Sequence, residues 1–232
     1  MCDIIYLKNE TKEVVMSKKE LTKRCILFII SLFFSALGVA VTKRGELGVS
    51  PISSVANVLS IRFSFLSLGN WLILWNCILI LGQIIILKKD FKLVQLLQIP
   101  LSFLFGWFTD FGMYLVSHID ASAYIVRLIL VFSGTLILGF GISLAVIANV
   151  IMNSGEAFVK AFCDRFNTNF GNTKIAFDVC CVVLSVSLSL FFFSGNILGT
   201  REGTLIAALC TGLAVKLFSK LLTNPLTYAL KK

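Results

Sequence analysis

Charge is so sparse along this chain that the gaps between charged residues constrain the fold more than any motif does. Between Arg24 and Lys43 lie 18 uncharged residues, between Arg62 and Lys88 lie 25, and between Arg127 and Glu156 lie 28. Three further runs carry a single acidic or basic residue each. Leu93 to Ile119 holds Asp110, Ile175 to Thr200 holds Asp178, and Gly203 to Ser219 holds Lys216. A helix of about 20 apolar residues crosses the roughly 30 Å hydrocarbon core of a bilayer, so six spans are expected. Backbone N–H and C=O groups find no partner in lipid, which leaves the helix as the spanning form here. Composition agrees: 57% of residues are apolar and 14% charged, where a soluble domain has roughly 45–50% and about 25%. Disorder, a collagen repeat and a disulfide-stapled secreted scaffold are excluded by 21 phenylalanines and only three prolines. The first run leads into further spans and ends in no small-residue cleavage pattern, so it is expected to be retained rather than removed as a signal peptide.

Lys and Arg are distributed unevenly across these spans. With the N-terminus inside, the inner segments are residues 1–24, 88–92, 156–174 and the C-terminal end, and they hold 16 of the 21 basic residues. The outer segments hold Lys43, Arg44, Arg62, Arg127 and Arg201. Basic residues concentrate on the cytoplasmic side, so both termini are expected there. The net charge of +9 then suits the anionic headgroups of a lipid bilayer, and nucleic acid is not expected as a partner. Seven cysteines form no CxxC pair and have no histidine near them, and His118 stands alone at the outer end of the third span. No metal or other cofactor is expected. No HExxH pair, Ser–His arrangement or nucleotide-binding Gly-rich loop occurs, so neither an enzyme nor an ATP-hydrolysing pump is expected.

A weak internal repeat organises the spans. Gly69-Asn70-Trp71-Leu72-Ile73-Leu74-Trp75-Asn76 opens the second span, and Gly171-Asn172-Thr173-Lys174-Ile175-Ala176-Phe177-Asp178 opens the fifth, 102 residues later. Gly, Asn and Ile coincide, Trp75 lies over Phe177, and Asn76 over Asp178. At the same offset Ser50-Pro51-Ile52-Ser53 lies over Met152-Asn153-Ser154-Gly155 and Arg62 over Asp164; with a shift of four, Gly106 lies over Gly212. Three spans per half is an odd number, so the second copy must enter the membrane inverted. The expected organisation is a cytoplasmic segment at 1–24, a first three-span repeat at 25–119, a second at 124–222 and a cytoplasmic tail at 223–232. Inverted repeats are the architecture that opens a central site alternately to either side.

Each first span is followed by a break. After span one come Gly45 and Gly48, then Ser50, a favoured N-cap, and Pro51, which suits the first helical position because its missing N–H has no partner there anyway. A short helix is expected from Ser50 to about Arg62, too short and polar to span. After span four, Asn153-Ser154-Gly155-Glu156 repeats the pattern. Non-helical backbone at membrane depth is tolerated where it is buried in protein or lines a wet cavity. Two such breaks at matching positions point to a substrate site, and free N–H groups at a helix start favour an anionic group or a polar oxygen. The expected binding residues are Gly48, Ser50, Pro51, Asn76, Asn153, Gly155 and Asp178. A capped surface helix is the plainer alternative for each break. Asp110 has two readings, a coupling proton site or a partner of Lys216. Asp178 stands one turn from Lys174, where an ordinary ion pair is the simpler explanation. Glu202 is read as a helix-start carboxylate.

Leu47-Gly48-Val49-Ser50-Pro51, Gly171-Asn172 ahead of Asp178, and Arg201-Glu202-Gly203-Thr204-Leu205-Ile206-Ala207-Ala208 resemble the YczE/YyaS/YitT family of bacterial integral membrane proteins. The resemblance covers residues 25–222. It implies a bacterial inner-membrane location and no particular substrate. At Asn153-Ser154-Gly155-Glu156 the chain departs from the Gly-Pro type of turn expected there. The functional expectation is a small-molecule transporter acting on an unknown solute, with a homo-oligomer or a separate partner subunit both open. The rival is a non-transporting scaffold or regulator that acts through a partner protein.

Overall fold

A computed structural model describes residues 6–9, 12–15 and 17–231. Two short strands, β1 (Tyr6–Asn9) and β2 (Lys12–Val15), pair antiparallel. Everything after them is helical: α1 (Lys18–Arg44), α2 (Pro51–Arg62), α3 (Leu68–Leu87), α4 (Gln98–Val116), α5 (Tyr124–Ala148), α6 (Ser154–Phe166), α7 (Phe170–Phe192) and α8 (Glu202–Lys231). Six of these are long and apolar enough to cross a membrane, and α2 and α6 are the two short ones. The chain is an all-α membrane protein.

Three boundaries differ from those expected. Helix α1 starts at Lys18, inside the segment read as a cytoplasmic extension, because Ser17 caps it by accepting from the Glu20 amide at 3.2 Å. Counting apolar residues from Arg24 misses this turn, which Glu20 and Arg24 stabilise through a 2.8 Å ion pair one turn apart. Helix α4 starts at Gln98 rather than Leu93, after a 3-10 turn at Leu93–Leu97. Helix α8 runs on past Pro225, through residues expected to form a tail.

The core is the contact between α1 and α5. A Cβ added at Gly38 would lie 2.5 Å from Leu138 N and 2.7 Å from Gly134 O; one at Gly141 would lie 2.5 Å from Ser35 N and 2.9 Å from Ser31 O. Gly38 and Gly141, Ser35 and Leu138, and Ser31 and Gly134 each stand 103 positions apart, so one contact is made twice with the partners exchanged. The helices run antiparallel. Arg24 at the start of α1 donates to the Ile147 and Ala148 carbonyls at the end of α5 (3.3 and 3.1 Å), while Arg127 near the start of α5 reaches Glu46 beyond the end of α1 (3.2 Å). Arg24 and Arg127 are again 103 apart, as are Glu46, the residue after the Gly45 cap of α1, and Asn149, the cap of α5, both left-handed (φ 56° and 49°). Small residues are what let two helix backbones approach this closely in a membrane, where packing and not water expulsion drives association.

The outer helices follow the same exchange. Helix α4 packs on α1 and α8 on α5; α2 packs on α7 and α6 on α3. The correspondence ends at α7 and α8. Helices α3 and α4 meet closely, where a Cβ on Gly69 would lie 2.1 Å from Gly106 O, whereas α7 and α8 make no comparable interface and Gly212 has nothing within 4 Å of its would-be Cβ. Gly106 and Gly212 therefore do different work despite their alignment.

Gly38→Val and Gly141→Val should each lower stability by about 1–3 kcal/mol, because the added carbons meet backbone that cannot retreat. Gly212→Ala should be neutral or gain up to about 1 kcal/mol through helix propensity. Thermal unfolding of the purified variants measures both, and a tolerated Gly38→Val would contradict this packing.

Candidate functional site

The two short helices begin against each other. A Cβ on Gly155, in the first turn of α6, would lie 2.8 Å from Ile52 Cδ1 in the first turn of α2. From that contact they diverge. Phe63, at the end of α2, packs on Trp71 at the start of α3 (5.9 Å between ring centroids) and on Phe192 at the end of α7 (5.3 Å). Helix α6 goes to the other ends, with Phe158 against Phe177 of α7 (5.2 Å) and 2.5 Å from the would-be Cβ of Gly82 of α3. Helices α3 and α7 thus each carry α2 near one end and α6 near the other.

The sequence-derived candidates fall in three places. Gly48 and Ser50 lie on the segment entering α2 and Pro51 is its first residue, with Gly48 and Pro51 buried. Gly48 has φ 117°, a conformation that favours glycine, and its would-be Cβ lies 2.2 Å from Thr204 Oγ1. Ser50 holds the N-cap position, yet its hydroxyl donates to Ser53 Oγ (3.0 Å) and makes no cap bond. Asn153 is the N-cap of α6, also without a side-chain cap bond, and Gly155 is buried one turn in. The φ,ψ pairs of the two caps nearly coincide, −56°, 150° for Ser50 and −60°, 152° for Asn153. Asp178 is ion-paired with Lys174, and Glu156 of α6 lies within electrostatic reach of both. Asn76 is half-buried in α3.

Asp110 does not pair with Lys216. Its carboxylate accepts from Ser67 Oγ (2.5 Å) and from the Gly69 amide (2.8 Å), which caps the start of α3 from the neighbouring helix. That contact forms only once α3 and α4 pack, so sequence proximity gave no hint of it. Glu202 does open α8, beside Arg201.

A buried polar nest not expected from the sequence surrounds the start of α6, and a second set of buried polar contacts lies beside α2. At α6, Gln83 and Gln98 exchange amide hydrogen bonds (3.0 and 3.1 Å), Gln83 also donates to Ser154 O (3.2 Å), and Ser102 and Ser154 hydroxyls lie 3.3 Å apart. Near α2, Thr200 donates to Ser185 Oγ (2.9 Å), Asn57 donates to Gly199 O (2.6 Å), and Thr204 sits against Gly48. Gln83 and Ser185, Gln98 and Thr200, and Ser102 and Thr204 are each 102 residues apart. Applying the repeat offset to isolated polar residues inside apolar runs finds all three pairs. Burying such groups is costly unless they are bonded, which makes their recurrence informative.

The chain matches, over residues 22–220, the family described as a family of unknown function (DUF6198), and it belongs to that family. No curated protein and no solved structure matches it.

Gln83→Leu or Gln98→Leu alone should cost about 1–3 kcal/mol, since the first leaves the Gln98 amide buried and unbonded and the second leaves Gln83 Oε1 without a donor. The double variant should cost clearly less than the sum of the singles in a double-mutant cycle read by thermal unfolding. Additive losses would show that the pair is not coupled.

Proposed function

We propose that this protein is a transporter or permease for a small molecule, built from two inverted three-span repeats, with its site where α2 and α6 begin. The observation that carries the proposal is the Ile52–Gly155 contact between two helix starts that then run to opposite ends of α3 and α7. The antiparallel α1–α5 core and the contacts repeated 102–103 residues apart support the inverted arrangement. In such carriers the interrupted helices meet at the repeat interface near the bilayer midplane, and their N-termini face the substrate. Gly48, Ser50, Pro51, Asn153 and Gly155 stand at these two helix starts. Asp178 joins them through the Glu156–Lys174 cluster at the first turn of α6, and Asn76 is its repeat partner. The excess of Lys and Arg on the inner segments supports cytoplasmic termini in a bacterial inner membrane.

Carrier and scaffold differ in who reaches the centre. A carrier exposes the site to water from each side in turn; a scaffold that works through a partner protein has no need to. With the seven native cysteines removed, Cys introduced singly at Ser50 and Asn153 should react with a membrane-impermeant thiol reagent from both faces, tested in intact cells and in inside-out vesicles. Protection of both positions from both faces would sink the carrier and favour the scaffold. Ser50→Ala and Asp178→Asn should each slow uptake at least tenfold in whichever solute assay reports activity.

A further inference from the structure

The starts of α3 and α7 are built alike and seated differently. Ser67, the N-cap of α3, donates its hydroxyl to Asp110 of α4, and the Gly69 amide donates to the same carboxylate. A Cβ on Gly106 of α4 would lie 2.7 Å from Gly69 O. The residues 102 positions further on are Asn169, Gly171, Gly212 and Ala208, with Gly212 answering to Asp110 and Ala208 to Gly106. Asn169 is the N-cap of α7 and accepts from the Gly171 and Asn172 amides (3.0 and 3.3 Å). Yet α7 makes no such interface with α8. Gly171, Ala208 and Gly212 are exposed, and a Cβ on Gly212 would meet nothing within 4 Å.

The core contacts support this register. A Cβ on Gly112 of α4 would lie 2.9 Å from Ala40 Cβ of α1, and one on Gly139 of α5 would lie 2.5 Å from Ala214 Cβ of α8. Gly112 and Ala214 are again 102 apart. Helices α4 and α8 thus turn corresponding residues to the core, so Ala208 and Gly212 stand on the face of α8 that, in α4, meets α3. They lie one turn apart on one side of the helix. Small residues are what membrane helices use to approach closely, and on a face left to lipid they add little packing. The start of α3 lies at the end of the molecule to which α2 runs, where Phe63 meets Trp71, and the start of α7 follows the end of α6 after three residues. One seam is shut at the first end, and its counterpart is unmade at the second.

We infer that these two seams are the gates of the carrier and that they exchange states: in the second conformation α7 closes on α8 through Gly171, Ala208 and Gly212 while the start of α3 leaves Asp110. The inference rests on the carrier reading. In the orientation proposed above, the structure is closed to the outside and open to the cytoplasm. Asp110 sets that preference. Its charge-assisted hydrogen bonds hold the outer gate, and Gly212 offers the start of α7 no carboxylate in return. A substrate reverses the preference only by binding the second conformation more tightly.

Paired cysteines in the cysteine-free full chain, oxidised in native membranes, test the gates. Ser67→Cys with Asp110→Cys should form a bond within one chain readily. Asn169→Cys with Gly212→Cys should form one at least tenfold more slowly, at the moments when α7 closes. A Ser50→Cys reporter should then react with an impermeant thiol reagent from the cytoplasmic side alone under the first bond, and from the outer side alone under the second. Gly212→Asp needs no oxidation and enters open space; it should raise outer-side reactivity of the reporter at least fivefold, and Asp110→Ala should act in the same direction. The gates are overturned by a bond between 169 and 212 that forms as fast as that between 67 and 110, that never forms while both thiols stay reactive, or that appears only between two chains. They are overturned equally by a reporter reached from both faces under either bond, or unmoved by Gly212→Asp. Any of these results with two-sided reactivity in the unbonded chain removes the gates and leaves the carrier. Protection from both faces in the unbonded chain removes the carrier, and the gates with it.

Discussion

Everything else in this molecule is arranged around two helices whose backbones touch. Gly38 and Gly141 let α1 and α5 pack with Cβ positions filled by each other's main chain, and no larger residue fits. In lipid there is no water to expel between helices, so close packing must supply the attraction. Antiparallel packing of two equivalent helices also has a geometric consequence. Whatever follows the end of one emerges at the opposite face from whatever follows the end of the other.

That consequence governs the breaks. Helices α1 and α5 end on opposite sides of their shared contact, with a left-handed residue just past α1 (Glu46) and at the end of α5 (Asn149). Arg127 and Arg24 fasten these two ends to the opposing helix. The chain then enters the interior from both directions, and α2 and α6 start against one another. Interrupted backbone so placed must be satisfied by protein, and the Gln83–Gln98 and Ser185–Thr200 pairs stand at corresponding points beside the two breaks. The two sets of contacts differ in detail. Glu156 adds a carboxylate to the first turn of α6 where that of α2 has no acidic residue, and α3–α4 packing has no α7–α8 counterpart.

Much of this was legible in the residues. Six apolar runs report six helices because hydrocarbon thickness sets their length. Ser50-Pro51 marked the start of α2, and Gly69-Asn70 and Gly171-Asn172 marked the first turns of α3 and α7. The polar nests were not legible one residue at a time, since a single Gln or Thr in an apolar run carries no periodicity; only the repeat offset links Gln83 to Ser185 and Thr204 to Ser102. The role of Asp110 needed the packing of α3 on α4, and the true start of α1 needed the Ser17 cap rather than a count of apolar residues.

The meeting of the two helix starts can be measured directly. In the cysteine-free chain, Ile52→Cys combined with Gly155→Cys removes the side chain that crowds Gly155 and brings two thiols within bonding reach. Mild oxidation in native membranes, followed by mass spectrometry of the digested protein, should recover one peptide joined between residues 52 and 155, and neither single variant should yield it. Failure of that bond to form, with both thiols still free to react, would mean that the two breaks do not converge, and the central site would have no structural basis.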